Sequence, residues 1–138
     1  MIPIRSSGPT NALALWVIWF AILSGLVMIQ MIAGGGISMG PDKAVAPLVP
    51  VVIATGGAFA SMVVRFLVLP RVKLLEQKLP LMIVGLALAE SGGMMSAFLV
   101  PTACPRTRLW LFLTAVTCIV LHAPVYANAK PGDGGYTR

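Results

Sequence analysis

Charge is the scarcest thing in this sequence. Only 10% of its 138 residues are Asp, Glu, Lys or Arg, where soluble domains run near a quarter. A further 58% are hydrophobic, more than a water-soluble fold of this length has interior to hide. Lipid is therefore the expected solvent, and the bilayer the first expected partner. Acidic residues number four against ten Lys and Arg, for a net charge of +6. Those basic residues fall between the apolar runs and not along one stripe, which argues against a nucleic-acid footprint. Two cysteines, Cys104 and Cys118, are too few for a disulfide framework and read as free thiols. The single histidine, His122, leaves a zinc site short of ligands, since zinc takes at least three from protein. Ser-His-Asp sets, zincin motifs and strand-loop-helix phosphate cradles are all absent, so no enzyme, metal or cofactor is expected. Alternation of period two is missing as well, which excludes a barrel.

What the chain does contain is four long apolar runs. A spanning helix needs about 20 residues to cross about 30 Å of hydrocarbon. The runs predict helices over 12–33, 47–69, 79–100 and 109–127, an all-α membrane protein built as a four-transmembrane-helix bundle. Asn11 is the expected cap of the first helix, and Gly34-Gly35-Gly36 its stop. Pro70 should end the second, Pro80 open the third and Pro101 close it. Thr107 is the expected N-cap of the fourth, and Pro124 should kink its last turn. The first run is too long for a signal-peptide core of about 7–15 residues, so it is expected to stay as a helix. The glycine-rich segment 128–138 is expected to be a mobile tail.

Lys and Arg counts in the flanks set the expected orientation. Arg5, Arg65, Arg71, Lys73, Lys78, Lys130 and Arg138 fall on one side, and Lys43, Arg106 and Arg108 on the other. Seven against three places both termini in the cytoplasm of a cell whose inner (plasma) membrane holds the protein. Trp16, Trp19, Trp110 and Tyr126 fall near helix ends, as interfacial anchors do.

The third helix carries Gly85, Ala89, Gly93 and Ala97 at four-residue spacing, and the second a similar patch with Gly57 and Ser61. Small residues at this spacing let membrane helices approach closely. They are expected either to join these two helices within one bundle or to join subunits.

One residue stands out chemically. Glu90 is the only acid inside a predicted span. Counted from Leu79 it lies about 16 Å deep, near the bilayer centre. An acid there is neutral, partnered or turned to a polar cavity, and such residues mark ion pathways more often than chance. The same depth count nominates Ser24 and Thr114 as partners, with Arg65 about one and a half turns nearer the cytoplasm. A structural hydrogen bond and a proton- or sodium-carrying role are both open for Glu90. His122, four residues beyond Cys118, raises a third, minor possibility of a haem or quinone anchor subunit.

The stretch Gly-Leu-Ala-Leu-Ala-Glu-Ser-Gly-Gly, residues 85–93, resembles the carboxylate-bearing helix of the rotary ATP synthase c subunit, the proteolipid. That resemblance implies one site residue only, Glu90, as the ion-binding acid. With its Ala-Leu-Ala-Glu third helix the whole chain is similar to small four-helix bacterial inner-membrane proteins, a group that implies no established activity. The expected function is accordingly non-enzymatic: a membrane protein that acts by assembling, with itself or with other membrane subunits.

Overall fold

The computed structural model describes residues 9–72 and 75–125, the side chains of residues 9–11, 75 and 76 excepted. Arg5, Lys73, Tyr126, Lys130, Arg138, the tail 128–138 and the side chain of Asn11 thus lie outside the described residues. Within them every regular element is a helix, with no strand. The helices are α1 (Pro9–Ile32), α2 (Leu48–Val63), α3 (Leu75–Phe98) and α4 (Pro105–Leu121). Three stretches are long and apolar enough to cross a membrane: Ala12–Ile32, Leu48–Arg71 and Gln77–Phe98. The 17 residues of α4 reach about 26 Å, somewhat short of the hydrocarbon thickness.

Proline explains most of the differences from the expected boundaries. α4 begins with Pro105 at its first position, where a missing N–H costs nothing and the fixed φ suits a helix. It stops at Leu121 and does not run on through Pro124. The residue before a proline is pushed out of the helical region, so Ala123 cannot extend the helix, and His122 becomes its C-cap. Pro70 does not end the second helical stretch either. The chain widens into a π-helical turn over Val64–Val68, then tightens to a 3-10 turn over Leu69–Arg71. The N–H of Leu69 reaches back to the Val64 carbonyl, and the wider turn clears the Pro70 ring from the Phe66 carbonyl it would otherwise strike. Pro80 lies inside α3, because that helix starts a turn earlier than the apolar run.

The N-terminus of α4 is capped from a distance. Thr107 is not the N-cap; Cys104 holds that position and offers no side-chain cap. Asp42, in the α1–α2 connection, instead accepts from the N–H groups of Arg106 and Thr107 at 2.8 and 3.2 Å, and from the Thr107 hydroxyl at 2.5 Å. These bonds satisfy donors that every helix start leaves without partners. The Lys43 N–H adds a bond to the Ala103 carbonyl at 2.8 Å, so the α1–α2 connection is pinned to the α3–α4 turn.

α3 is the hub. It packs on α1, α2 and α4, while α1 and α2 have little contact with each other. The core joins Leu15 and Leu26 of α1, Ala58 of α2, Met82, Leu86 and Ala89 of α3, and Phe112, Ala115 and Ile119 of α4. At the far end of α4 the Trp19 indole N–H donates to the Ile119 carbonyl at 2.7 Å. That carbonyl, in the last turn of α4, also accepts from the His122 N–H at 3.0 Å, so the indole adds a second bond that ties α1 to the end of α4. Trp19 is therefore more than an interfacial anchor, and its ring also meets Trp16 edge to face.

Candidate functional site

Glu90 sits at the margin of the α3 interior. Helical residues advance by about 100°, which places Glu90 one step beyond fully buried Ala89 and one turn beyond Leu86. Its neighbours on the outer side, Ile83, Ala87 and Phe98, are exposed, and Glu90 itself is half-buried. Within the span Gln77–Phe98 it lies about 20 Å from the first residue and about 12 Å from the last, close to the middle. The carboxyl group is thus at mid-depth on the boundary between the bundle and whatever surrounds it.

The expected partners keep to their own helices. The Ser24 hydroxyl donates to the carbonyls of Phe20 and Ala21 at 2.8 and 3.1 Å. That of Thr114 donates to the Trp110 carbonyl at 2.8 Å. Arg65 lies in the π-helical turn, within electrostatic range of His122. Among the described residues no hydrogen bond or ion pair joins Glu90 to Ser24, Thr114 or Arg65.

The small-residue face of α3 is taken up inside the chain. Gly85, Ala89, Gly93 and Ala97 are all buried, and each glycine receives a particular neighbour. A β-carbon on Gly93 would strike the Leu26 side chain of α1, and one on Gly85 the His122 ring of α4. Gly57 of α2 approaches α3 so closely that a β-carbon there would lie 2.5 Å from Ser91 Oγ and 2.8 Å from the Leu88 carbonyl. Ser61 donates to the Gly85 carbonyl at 2.8 Å from a fully buried position. Interhelical hydrogen bonds of this kind contribute about 0.6 kcal/mol each in a membrane. The small face therefore sets the spacing of all three neighbours.

His122 completes this end of the bundle. It is 0% exposed, and its Nδ1 lies 2.8 Å from the Cys118 carbonyl. A carbonyl only accepts, so Nδ1 carries the proton and donates. Nε2 is buried with no hydrogen-bond partner among the described residues and is turned towards Gly85. A haem or metal at Nε2 would need the space that α3 occupies. No group of three His, Cys, Asp or Glu side chains is gathered among the described residues.

Two residues of interest were not legible in the sequence as anything but flank and helix filler. Arg108 was one flank charge among ten, yet it is 6% exposed, and Gln30 is 3% exposed at the end of α1. Their burial depends on the fold of the glycine loop over the start of α4, for which no local pattern exists. Comparison with family models, curated proteins and solved structures gives no match to this chain.

Proposed function

We propose that this chain is a small, non-enzymatic integral membrane protein of four spanning helices that works by assembly, a second copy or another membrane subunit covering the outer face of α3. One observation carries this reading: Glu90 stands at mid-span beside exposed Ile83, Ala87 and Phe98 with no hydrogen-bond or ion-pair partner among the described residues. Hydrocarbon cannot solvate a carboxyl group, and polar groups at that depth are expensive unless another group meets them. A neighbouring helix laid on this face would supply that group. The small-residue stripe, occupied internally, plays no part in the contact. α4, though short for a span, packs against the other three helices, which supports counting it as the fourth. The positive flanks place both termini in the cytoplasm and the protein in the inner (plasma) membrane.

The mass of the purified protein in mild detergent and in nanodiscs tests assembly. A multiple of 14.5 kDa, or a stable complex with another membrane protein, is expected. Replacing exposed Ala87 by Trp should reduce that mass without unfolding the chain. A strict monomer under both conditions would sink the proposal.

The same placement favours a second reading, in which Glu90 exchanges a proton or sodium ion with a neighbouring subunit. Carbodiimides modify protonated carboxyls within the membrane. Labelling of Glu90 that sodium suppresses, lost in Glu90→Gln, is expected on this reading; an unreactive Glu90 would rule it out while leaving assembly intact.

A further inference from the structure

The opposite end of the bundle holds a second unusual group. Arg108, in the first turns of α4, is buried against the C-terminus of α3. Its Nε–H donates to the Ser96 carbonyl and one Nη2–H to the Ala97 carbonyl, both at 3.1 Å, while Ser96 Oγ donates back to the Arg108 carbonyl at 2.7 Å. The open carbonyls of a helix end carry partial negative charge, so this docking steadies the cation. It does not neutralise it. A guanidinium has five N–H donors, of which these bonds use two. No carboxylate among the described residues pairs with it: Asp42, the nearest in the fold, is engaged by Arg106 and Thr107.

The remaining donors face a cavity of about 220 Å³ lined by Gln30, Gly34–36, Ser38, Thr102 and Arg108. Nη1 lies on the loop side, 3.9 Å from where a β-carbon of Gly35 would stand. Gly35 and Gly36 both have positive φ, 73° and 79°, the conformation that lets the loop curl over the cavity without side chains filling it. On the other wall Gln30 has a fixed orientation, because its Nε2 donates to the Gly36 carbonyl at 3.1 Å. Its Oε1 is then an acceptor, buried and without a hydrogen-bond partner among the described residues. An unmet buried acceptor destabilises the fold, and an uncompensated buried cation does so more. Both lie on one cavity with space for several waters at about 30 Å³ each.

From this we infer that the cavity is a binding site for a phosphate group bearing an adjacent hydroxyl, its oxygens accepting from Arg108 and its hydroxyl donating a hydrogen bond to Gln30 Oε1. Arg meets phosphate oxygens with two parallel donors where geometry allows, and the acceptor on the facing wall selects a ligand that also carries an O–H. Two sources share this chemistry: free hydrogen phosphate, and the headgroup of an anionic phospholipid such as phosphatidylglycerol. Gln30 lies in the last turn of the span Ala12–Ile32, and Gly34–36, Ser38 and Thr102 fall just beyond the ends of that span and of Gln77–Phe98, which is headgroup depth.

The test is thermal unfolding of the full chain, followed by tryptophan fluorescence, in sodium phosphate against sodium chloride at equal ionic strength. A parallel series compares nanodiscs of phosphatidylcholine alone with nanodiscs containing phosphatidylglycerol. Protection by phosphate identifies a free-anion site, and protection by phosphatidylglycerol alone identifies a headgroup site. Thr102→Glu, at the exposed rim, leaves the α3 cap in place and sets a negative charge at the mouth; it should weaken binding by about tenfold or more. Arg108→Gln should abolish it, and if that variant fails to fold, Thr102→Glu still decides. No protection of the wild type by either ligand, or equal protection of Thr102→Glu, would overturn the proposal.

Discussion

His122 Nε2 stands where a β-carbon on residue 85 would have to go. The ring is held there from behind, since its Nδ1–H is committed to the Cys118 carbonyl, and the Gly85 carbonyl is committed to Ser61. One glycine thus fixes the distance between three helices. Gly85→Ala is expected to cost roughly 1–3 kcal/mol, the range for overpacking a filled interior. Adding His122→Ala should recover part of that loss. Unfolding of the single and double variants in detergent measures the coupling, and strictly additive losses would show that the two residues do not meet.

The other close approaches should rank by what the added methyl strikes. At Gly93 it meets the end of the Leu26 side chain, which has rotamers to yield with. At Gly57 it meets the Leu88 carbonyl of the α3 backbone at 2.8 Å, which cannot move without moving the helix. Gly57→Ala is therefore expected to lower the unfolding temperature more than Gly93→Ala. The reverse order would mean that α2 and α3 separate more easily than α1 repacks.

Trp19→Phe keeps the ring and removes one donor. The Ile119 carbonyl then loses its bond from α1, and the expected loss is about 1 kcal/mol, as for a typical net hydrogen bond. Trp16→Phe, whose indole contributes an edge-to-face contact only, should cost less. Comparing the two unfolding midpoints separates the hydrogen bond from aromatic packing.

Asp42 gives the fold an acid-sensitive end. The Thr107 hydroxyl bond, followed by the backbone N–H bonds of Thr107 and Arg106 and the Arg106 charge, holds its carboxyl below the usual value of 3.8, against a smaller opposing effect of desolvation. A carboxyl depressed in the folded state stabilises that state above its unfolded pKa, and the contribution is lost as pH falls through the folded value. The cap is therefore complete at neutral pH and erodes below about pH 4. Asp42→Asn should be less stable at neutral pH and show a shallower decline on acidification. Parallel pH dependences in the two proteins would place the acid sensitivity elsewhere.

The helical class, and stretches long and apolar enough to cross a membrane, were legible from single residues upward. Long apolar runs separated by glycine, proline and Lys or Arg leave helices as the direct way to satisfy the backbone. Glu90 was legible too, because one acid in an apolar run needs no neighbours to be conspicuous. Helix ends were read less well. Pro80 and Thr107 look like boundary markers in the sequence, but a proline is tolerated near a helix start, and the donors at the start of α4 are met by Asp42 from a separate connection.

The sequence by itself determined the element type, the stretches apolar enough to cross a membrane and the position of Glu90 along its span, all of which follow from local composition and a rise of about 1.5 Å per residue. The tertiary structure alone decided which way each helix turns. It spent the small face of α3 on Leu26, His122 and α2, left Glu90 at the outer margin, and buried Arg108 and Gln30 on one cavity. The reason is physical: α1, α3 and α4 are apolar nearly all round, so no one-sided pattern marks the face that packs. That choice rests with contacts between residues as far apart as Trp19 and Ile119.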